Sequence, residues 1–373
     1  MPVVKEIAAS DVRAVPEVGA VVERHGWGAL DAGGLVAFPG RNENWAGRTS
    51  AGVGVFVKKI DGAGAAERFG RALSFTRLPQ AGRGVPSPEC LGFDRESRVM
   101  VFELLEGAST GSDLARDGRF TTAMACKAGR IVGLLHRTPA VKAAAVLDTS
   151  APSWPRLDGP AMTADAFTAA SGAQLEMYGL VQNDTALVGA VTQLAEASLR
   201  APKAPAHCDL RLDQFLLHGR KLYLADWEEL RLADPARDVG AYVGEWLHRS
   251  LRAINGDGTL TAAEVLPRCV RELERRRPYL DAFWTGYRAT VDTPDPRLAS
   301  RAAGYAGWHL LDRILAAGRE HARLNALDRA AIGIAGRILR SPDAHRAALG
   351  LTTPAQDGSV NTTREHRTAD TSG

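Results

Sequence analysis

Residues 206–240 carry most of the side chains whose types and spacing could do chemistry. Asp209 lies in a loop before a predicted strand, Gln214 begins that strand, and Asp226 ends the next strand along the chain. If the two strands pair as a hairpin, Gln214 and Asp226 face one site with Asp209 beside them. Phosphoryl transfer needs such a set, because one carboxylate accepts the proton of an attacking hydroxyl while other oxygens hold Mg²⁺ on the nucleotide phosphates. The stretch therefore predicts a phosphotransferase site.

The acidic residues of this stretch are predicted to have different roles. Asp209 is the predicted base, although a loop aspartate can also cap a turn. Asp226 is the predicted Mg²⁺ ligand, because a carboxylate that ends an apolar strand is hard to bury without a cation or hydrogen-bond donors. Glu228, two residues further on, is either a ligand of a second metal ion or a solvated loop acid, and the sequence leaves both open.

The surrounding sequence predicts two lobes of different character. In residues 1–105 a helical pattern is followed by β-branched stretches and turn formers, which indicates a small N-terminal lobe built on an antiparallel sheet. Residues 106–350 are mainly amphipathic helix and include the predicted catalytic loop and metal-binding segment. Residues 351–373 are predicted to be a disordered tail, because from Thr352 onwards they are polar and lack large apolar groups. The predicted fold class is α+β.

The composition is that of an ordinary globular protein. Of the 373 residues, 45% are hydrophobic and 24% are charged, and the formal net charge is +3. This balance gives no argument for a nucleic acid or an anionic membrane as a partner. The four cysteines form no CxxC pair, and no apolar run is long enough for a signal peptide or a spanning helix. We therefore expect reduced thiols, a cytoplasmic location, and neither nucleic acid nor membrane as partner.

Four short motifs, in sequence order, resemble those of a known family. HCDLRLDQ at residues 207–214 resembles the catalytic loop H-x-D-x-x-x-x-N, and ADWEELRLADPARDV at 225–239 resembles the metal-binding segment of aminoglycoside phosphotransferases and choline kinases. IVGLLHR, with His136, is similar to the L-x-x-L-H helix end of that family, and VFVK, ending at Lys58, is similar to the V-A-I-K strand. Together the motifs span residues 35–240. They imply a two-lobed, protein-kinase-like fold and an ATP-dependent phosphotransferase that uses Mg²⁺.

The resemblance also implies roles for residues other than the three acids Asp209, Asp226 and Glu228. Lys58 would contact the nucleotide phosphates, and Glu67, the one acid on the following helical stretch, would be its acidic partner. Gln214 occupies the asparagine position of the family, and its amide oxygen can still reach a metal ion. Arg211 would contact the transferring phosphate as a planar donor, or be a surface arginine.

Other residues are implied to shape the nucleotide site or to brace the catalytic loop. PGRNENWAG at residues 39–47 lacks a G-x-G-x-x-G pattern, but asparagine tolerates unusual backbone conformations, so a tight turn is possible there. Asn44 in this turn is predicted to bind nucleotide. The resemblance places the adenine against backbone groups near Glu103 and Leu105. Asp234 and Asp238 look like the structural acids of the family that brace the loop.

A closer resemblance concerns the acceptor. PGRNENWAG, HCDLRLDQFLL and DWEELRLADPARDVG together resemble the kinase-like subunit of class V lanthipeptide synthetases from actinobacteria. That resemblance implies phosphorylation of Ser or Thr in a ribosomal precursor peptide, followed by phosphate elimination by a separate HopA-type lyase. The precursor peptide and the lyase are then the expected partners.

Two other functions stay open at this point. One is a small-molecule kinase of the aminoglycoside type, although a cationic antibiotic calls for many acids in the cleft and this chain is slightly basic. The other is a pseudokinase that scaffolds a partner protein. Gln214 and the displaced Glu67 favour the pseudokinase, whereas Lys58, Asp209 and Asp226 oppose it.

Overall fold

The computed structural model describes most of the chain. The described residues are 12, 15–31, 34–38, 40–78, 84–152, 164–254, 260–291 and 295–352. The predicted disordered tail lies almost entirely outside them. An antiparallel sheet occupies the N-terminal part and helices dominate the rest, which confirms the predicted α+β fold class. Among the helices of the described residues, none combines the length and the apolarity that crossing a membrane requires.

The N-terminal lobe is a five-stranded antiparallel sheet between two helices. Its elements are α1 (Pro16–Arg24), β1 (Val36–Phe38), β2 (Glu43–Arg48), β3 (Gly54–Lys59), α2 (Ala65–Phe75), β4 (Cys90–Asp94) and β5 (Val99–Glu103). The strand order is β1-β2-β3-β5-β4. Val55 and Val57 of β3 are fully buried in a cluster with α1. Because successive side chains of a strand point to opposite faces, Lys58 lies on the other face, on the side where Met100 packs against α2.

The C-terminal lobe is mainly helical. Its helices are α3 (Gly111–Arg116), α4 (Thr122–His136), α5 (Ala140–Ala144), α6 (Ala164–Ala169), α7 (Gly172–Gln182), α8 (Thr185–Arg200), α9 (Ala236–Arg252), α10 (Ala262–Arg288), α11 (Leu298–Ala317), α12 (Ala326–Arg340) and α13 (Pro342–His345). Its short strands are β6 (Ser109–Thr110), β7 (Ala204–Ala206), β8 (Phe215–His218), β9 (Lys221–Leu224) and β10 (Arg231–Ala233).

A β-hairpin brings the chemistry-bearing residues together. β8 and β9 pair antiparallel through a turn at Gly219, whose φ of +58° favours glycine. Gln214 immediately precedes β8, and Asp226 follows β9 by one residue. The Ala225 N–H donates to the Gln214 carbonyl at 3.0 Å, which continues the pairing beyond the strands. The structure thus contains the hairpin that the sequence predicts, with both residues at its open end.

Glycines allow α4 and α10 to pack backbone against backbone. A Cβ on Gly129 of α4 would lie 2.0 Å from the Phe283 carbonyl oxygen of α10. On the partner helix, a Cβ on Gly286 would lie 2.1 Å from the Cys126 carbonyl oxygen. The obstructing atoms are backbone atoms, so they cannot rotate away. This contact fixes α4, whose last residue is His136.

We predict that Gly129→Ala destabilises the protein because its methyl group forces α4 and α10 apart. The free energy of unfolding should fall by about 1–3 kcal/mol, which is the usual cost of overpacking. Urea unfolding followed by circular dichroism measures it.

Gly189→Ala is the matched control. Gly189 lies inside α8, and no atom approaches within 4 Å of the position that an added methyl group would take. Alanine there should leave the free energy of unfolding unchanged or raise it by about 0.5–1 kcal/mol. Equal effects of the two substitutions would contradict the packing account.

Candidate active site

One buried carboxylate, that of Asp238, holds the loop between β7 and β8. Its Oδ2 accepts the His207 backbone N–H at 2.6 Å, and its Oδ1 accepts the Cys208 backbone N–H at 2.8 Å. His136 Nε2 lies 3.0 Å from the same Oδ2. Burial disfavours the charged form, yet the contacts with His136 and His207 hold the pKa of Asp238 below its ordinary value. These contacts fit the bracing role that the resemblance implies.

Two non-glycine residues of the site adopt left-handed backbone conformations. Cys208 has φ +66° and Asp226 has φ +72°. Such a conformation costs free energy in an L-residue and persists only where its surroundings impose it. At Cys208, the hydrogen bond from its N–H to Asp238 imposes it. Both distorted residues line one cavity, and the turn at Cys208 brings Asp209 to the same cavity.

Asp209 has the surroundings of a general base. Its side chain lines the cavity, with Arg211 NH2 at 3.7 Å and Gln214 Nε2 at 3.4 Å from its Oδ2. Burial of the carboxyl raises the pKa of Asp209 above its ordinary value, and Arg211 partly offsets this increase. A raised pKa brings a carboxylate nearer to the range in which it accepts a proton efficiently. Arg211 also contacts Asp213 at 3.4 Å and lines the cavity, so it is not a solvated surface arginine.

Gln214 departs from the prediction that its amide oxygen faces a metal ion. Its side chain is buried, and its Oε1 accepts the backbone N–H of Arg211 at 3.0 Å. Its Nε2 is turned towards Asp209. The longer stem of glutamine thus folds back onto its own loop. In this arrangement Gln214 orders the loop and positions Asp209.

Lys58 joins the sheet to the end of the β8–β9 hairpin. Its Nζ lies 2.5 Å from Asp226 Oδ1 and also contacts Glu228 Oε1. Burial disfavours the ammonium, but the two carboxylates outweigh this and raise the pKa of Lys58. Burial likewise opposes ionisation of Asp226, and Lys58 reverses the effect and holds the pKa of Asp226 low. Both groups are therefore charged near neutral pH.

Glu228 is buried beneath several donors from the N-terminal lobe. Its Oε1 contacts Lys58 and Asn42 Nδ2, and its Oε2 lies 2.7 Å from Arg68 NH1 and 3.2 Å from Arg41 NH2. Both oxygens are fully engaged, so neither open interpretation of Glu228 holds in this arrangement. It is neither a solvated loop acid nor a free metal ligand.

Glu67 does not pair with Lys58, and this expectation is corrected. Glu67 is exposed on the outer face of α2, whereas the next residue, Arg68, is buried and faces the site. The acidic partners of Lys58 come instead from the segment after β9. A signal for this was present in the sequence, because Arg68 and Arg71 are three residues apart and so share one face of α2.

The remaining predicted nucleotide residues lie in different places. Asn44 lines the same cavity as Lys58, and its Nδ2 donates to the Asn42 carbonyl at 3.2 Å. Glu103 ends β5, and its Oε1 accepts the Glu89 N–H at 3.0 Å. Leu105 is buried two residues further on. Neither Glu103 nor Leu105 is in the wall of that cavity, so it does not extend to the segment where adenine is expected.

The cavity, of about 830 Å³, also has a wall that the sequence analysis missed. Side chains of α11 form it at three- and four-residue spacing: Tyr305, Trp308, His309, Asp312, Arg313 and Ala316. This spacing places them on one face of a helix, which is the signal that could have found them. The charge of Asp312 in this wall acts on the Asp209 carboxyl, so the wall lies on the Asp209 side of the cavity.

The residues present fit a divalent ion in one way. Such an ion on nucleotide phosphates takes one or two protein carboxylates and keeps other ligands from phosphate and water. Asp226 fits, because it lines the cavity and its Oδ2 makes no hydrogen bond to any described residue. Within the described ranges, no group of three or more His, Cys, Asp or Glu side chains is arranged to hold a metal ion by itself. The phosphates of a nucleotide would have to supply further ligands.

Known proteins resemble the chain in both sequence and fold. The model of the phosphotransferase enzyme family matches residues 35–279, more than half of the chain. A choline/ethanolamine kinase family protein from Mesorhizobium loti is similar in structure, with TM-score 0.51 and 17% identity over 91% of this chain and 99% of that one. An amicoumacin kinase in complex with AMP-PNP and Ca²⁺ is also similar, with TM-score 0.52 and 14% identity over 89% and 94%. These structures show the kinase-like fold. No curated protein sequence matches the chain.

We predict that Asp238→Asn destabilises the protein and disorders the catalytic loop. A carboxamide has one acceptor oxygen, so one buried donor among His207 N–H, Cys208 N–H and His136 loses its partner. The free energy of unfolding at neutral pH should fall by about 1–3 kcal/mol. Chemical unfolding gives this value, with Asp343→Asn, a change of a 71% exposed side chain, as the control.

We also predict that the destabilisation caused by Asp238→Asn depends on pH. The pKa of Asp238 in the folded protein lies below the ordinary 3.8, so its stabilisation is present above about pH 4 and is lost as the pH falls through the folded value. The difference in unfolding free energy between wild type and Asp238→Asn should therefore shrink on acidification. A difference that stays constant from pH 7 to pH 3 would contradict the assignment of charge to Asp238.

Proposed function

The chain belongs to the phosphotransferase enzyme family, and from this premise we propose that it transfers the γ-phosphoryl group of Mg·ATP to an alcohol. The observation that carries the proposal is a single cavity lined by Lys58, Asp226 and Asp209. Lys58 and Asp226 supply the cation and the carboxylate that a nucleotide with its metal ion needs. Asp209 supplies the base on the acceptor side.

The nucleotide half of the cavity lies under the β1–β2 turn. Lys58 would hold phosphate oxygens, and Asp226 would hold Mg²⁺, which neutralises charge on the phosphates when it is bound. Asn44 and Arg41 line the same half and offer further donors. The amicoumacin kinase of similar fold, whose structure is a complex with AMP-PNP and Ca²⁺, supports a nucleotide and a divalent ion as the pair to test.

The acceptor half lies between the catalytic loop and α11. Asp209 would accept the proton of the attacking hydroxyl, and Gln214 and Arg211 would hold its carboxylate in place. Arg211, 3.7 Å from that carboxylate, would also balance charge on the transferring phosphoryl group. The buried aromatic side chains of Tyr305 and Trp308 form the apolar part of this half.

The acceptor we propose is a Ser or Thr hydroxyl of a ribosomal precursor peptide in lanthipeptide biosynthesis. A HopA-type lyase would then eliminate the phosphate. The resemblance of residues 39–47, 207–217 and 226–240 to class V synthetase subunits supports this. Charge supports it as well: Arg313 of the acceptor wall and Arg319, just after α11, outnumber Asp312 there and would disfavour a polycationic aminoglycoside more than a neutral peptide segment.

Specific observations favour two alternatives. The solved structures of similar fold belong to families named for small-molecule acceptors, choline or ethanolamine and amicoumacin, which favours a small-molecule kinase. The engaged oxygens of Gln214 and Glu228 leave Asp226 as the carboxylate open to a metal ion, which favours a pseudokinase scaffold. A screen of phosphate transfer from radiolabelled ATP to Ser/Thr peptides, choline, aminoglycosides and macrolides separates all three functions.

We predict that Asp209→Asn abolishes transfer without preventing nucleotide binding. Loss of a general base should lower kcat by about 10²–10⁴-fold, while the Kd for Mg·ATP stays near that of the wild type because Asp209 lies on the acceptor side. Steady-state kinetics and calorimetric titration measure the two. Asp117→Asn, a change in an exposed turn after α3, is the control. Undiminished kcat in Asp209→Asn would refute the assignment of the base.

We also predict that Arg211→Ala shifts the acid limb of the pH profile. Arg211 lowers the pKa of Asp209, so its removal should raise that pKa, and the base would become ionised only at higher pH. The acid limb of kcat/KM should move to higher pH, and Arg211→Lys, which keeps the charge, should restore most of the shift. A limb that stays in place in Arg211→Ala would show that another group titrates.

A further inference from the structure

A group of ion pairs joins the two lobes, and in each of them the cation comes from the same lobe. The cations belong to the N-terminal lobe and the acids to the C-terminal lobe: Arg41, Lys58, Arg68 and Arg71 contact Asp148, Asp226, Glu228 and Glu229. The resemblance leads one to expect the opposite on α2, where an acid would pair with Lys58. The structure instead places an arginine on the inner face of α2 and the acid after β9.

Arg68 is the residue of α2 that reaches Glu228 most directly. Its guanidinium is 3% exposed, and its NH1 donates to Glu228 Oε2 at 2.7 Å and to Asn42 Oδ1 at 2.8 Å. Its NH2 contacts the Asp61 carbonyl. The guanidinium therefore lies in a fixed position against α2, the β1–β2 turn and the segment after β9.

Glu228 transmits that position to Lys58. One of its oxygens accepts from Arg68, and the other contacts the Lys58 ammonium. Arg71 fixes the backbone of the same residue, since its Nε donates to the Glu228 carbonyl at 2.6 Å. A carboxylate held between two buried cations is a rigid link, because releasing either cation would leave a buried charge unpaired.

We infer that Arg68 is a positioning residue for nucleotide binding and that it acts through Glu228. The polarity usual for this site is inverted: α2 supplies a cation that holds an acid of the C-terminal lobe, and this acid holds Lys58 against the phosphates. Glu228 would stay with Lys58 and Arg68, and of the two carboxylates Asp226 alone would hold the metal ion. The inference rests on the proposed function, because it concerns the same nucleotide site.

A double-mutant cycle on nucleotide affinity tests the link. Arg68→Gln should raise the Kd for Mg·ATP by roughly tenfold, and Arg68→Lys should restore part of the loss because it keeps the charge. Glu228→Gln should weaken binding as well. In the Glu228→Gln background, Arg68→Gln should have no further effect. Arg24→Gln, which removes an exposed ion pair with Asp94, is the matched control and should leave the Kd unchanged.

Two results of this cycle would overturn the inference. One is a Kd that Arg68→Gln leaves unchanged while the melting temperature falls, since that would make Arg68 structural only. The other is additive loss in the double variant, which would show that Arg68 does not act through Glu228.

A second measurement keeps the inference testable without nucleotide. Lys58 is 12% exposed, so its acylation by an amine reagent should be slow in the wild type and several-fold faster in Arg68→Gln, where its anchor is loosened. Peptide mass mapping gives the rate. An unchanged rate would overturn the inference. A wild type that binds no Mg·ATP would instead reject the proposed function, so the two failures are distinguishable.

Discussion

The buried ammonium of Lys58 is the constraint on which the rest of the site depends. A lysine on the buried face of a sheet must find an anion or lose its charge. No acid in the described part of its own lobe pairs with it, and Glu67 is exposed on α2. The anions come from the opposite lobe as Asp226 and Glu228. The ion pairs that keep Lys58 protonated are therefore the same contacts that join the two lobes. They also fix the segment after β9 relative to the sheet.

A second constraint holds the catalytic loop on the other side of the cavity. The side chain of Asp238 is held in one position, because each of its oxygens accepts a backbone N–H group of the loop. The loop includes Cys208, whose φ is unfavourable. The position of Asp238 depends in turn on His136 at the end of α4, and α4 is held against α10 by the contact at Gly129. The fold thus positions Asp209 through successive contacts that run from α10 to α4, from His136 to Asp238, and from Asp238 to the loop.

Much of this arrangement could be predicted from the sequence. The spacing of Asp209, Gln214 and Asp226 around a hairpin is short-range, so strand periodicity and a glycine turn suffice to bring them together. Side-chain direction is harder to predict. Whether Gln214 faces the cavity or its own loop depends on one rotamer. Whether Glu67 or Arg68 faces the site depends on a rotation of α2 by one residue, which the packing of α2 decides.

The wall formed by α11 could not be predicted from the sequence, and the reason is different. Its residues lie on α11, far along the chain from the loop, and only the packing of α11 against α9 brings them there. Before the fold is known, Trp308 and Arg313 belong to one amphipathic helix among many. The partner of Glu228 was hidden in the same way, since Arg68 and Glu228 are 160 residues apart.

The central claim is that Lys58 and Asp226 form a working nucleotide site, and thermal stability tests it most directly. Melting of the wild type and of Asp226→Asn would be followed with and without Mg·ATP. At ligand concentrations about 100-fold above Kd, binding should stabilise the wild type by about 2.7 kcal/mol, and the variant should gain nothing. No stabilisation of the wild type, or equal stabilisation of a folded Asp226→Asn variant, would contradict the account.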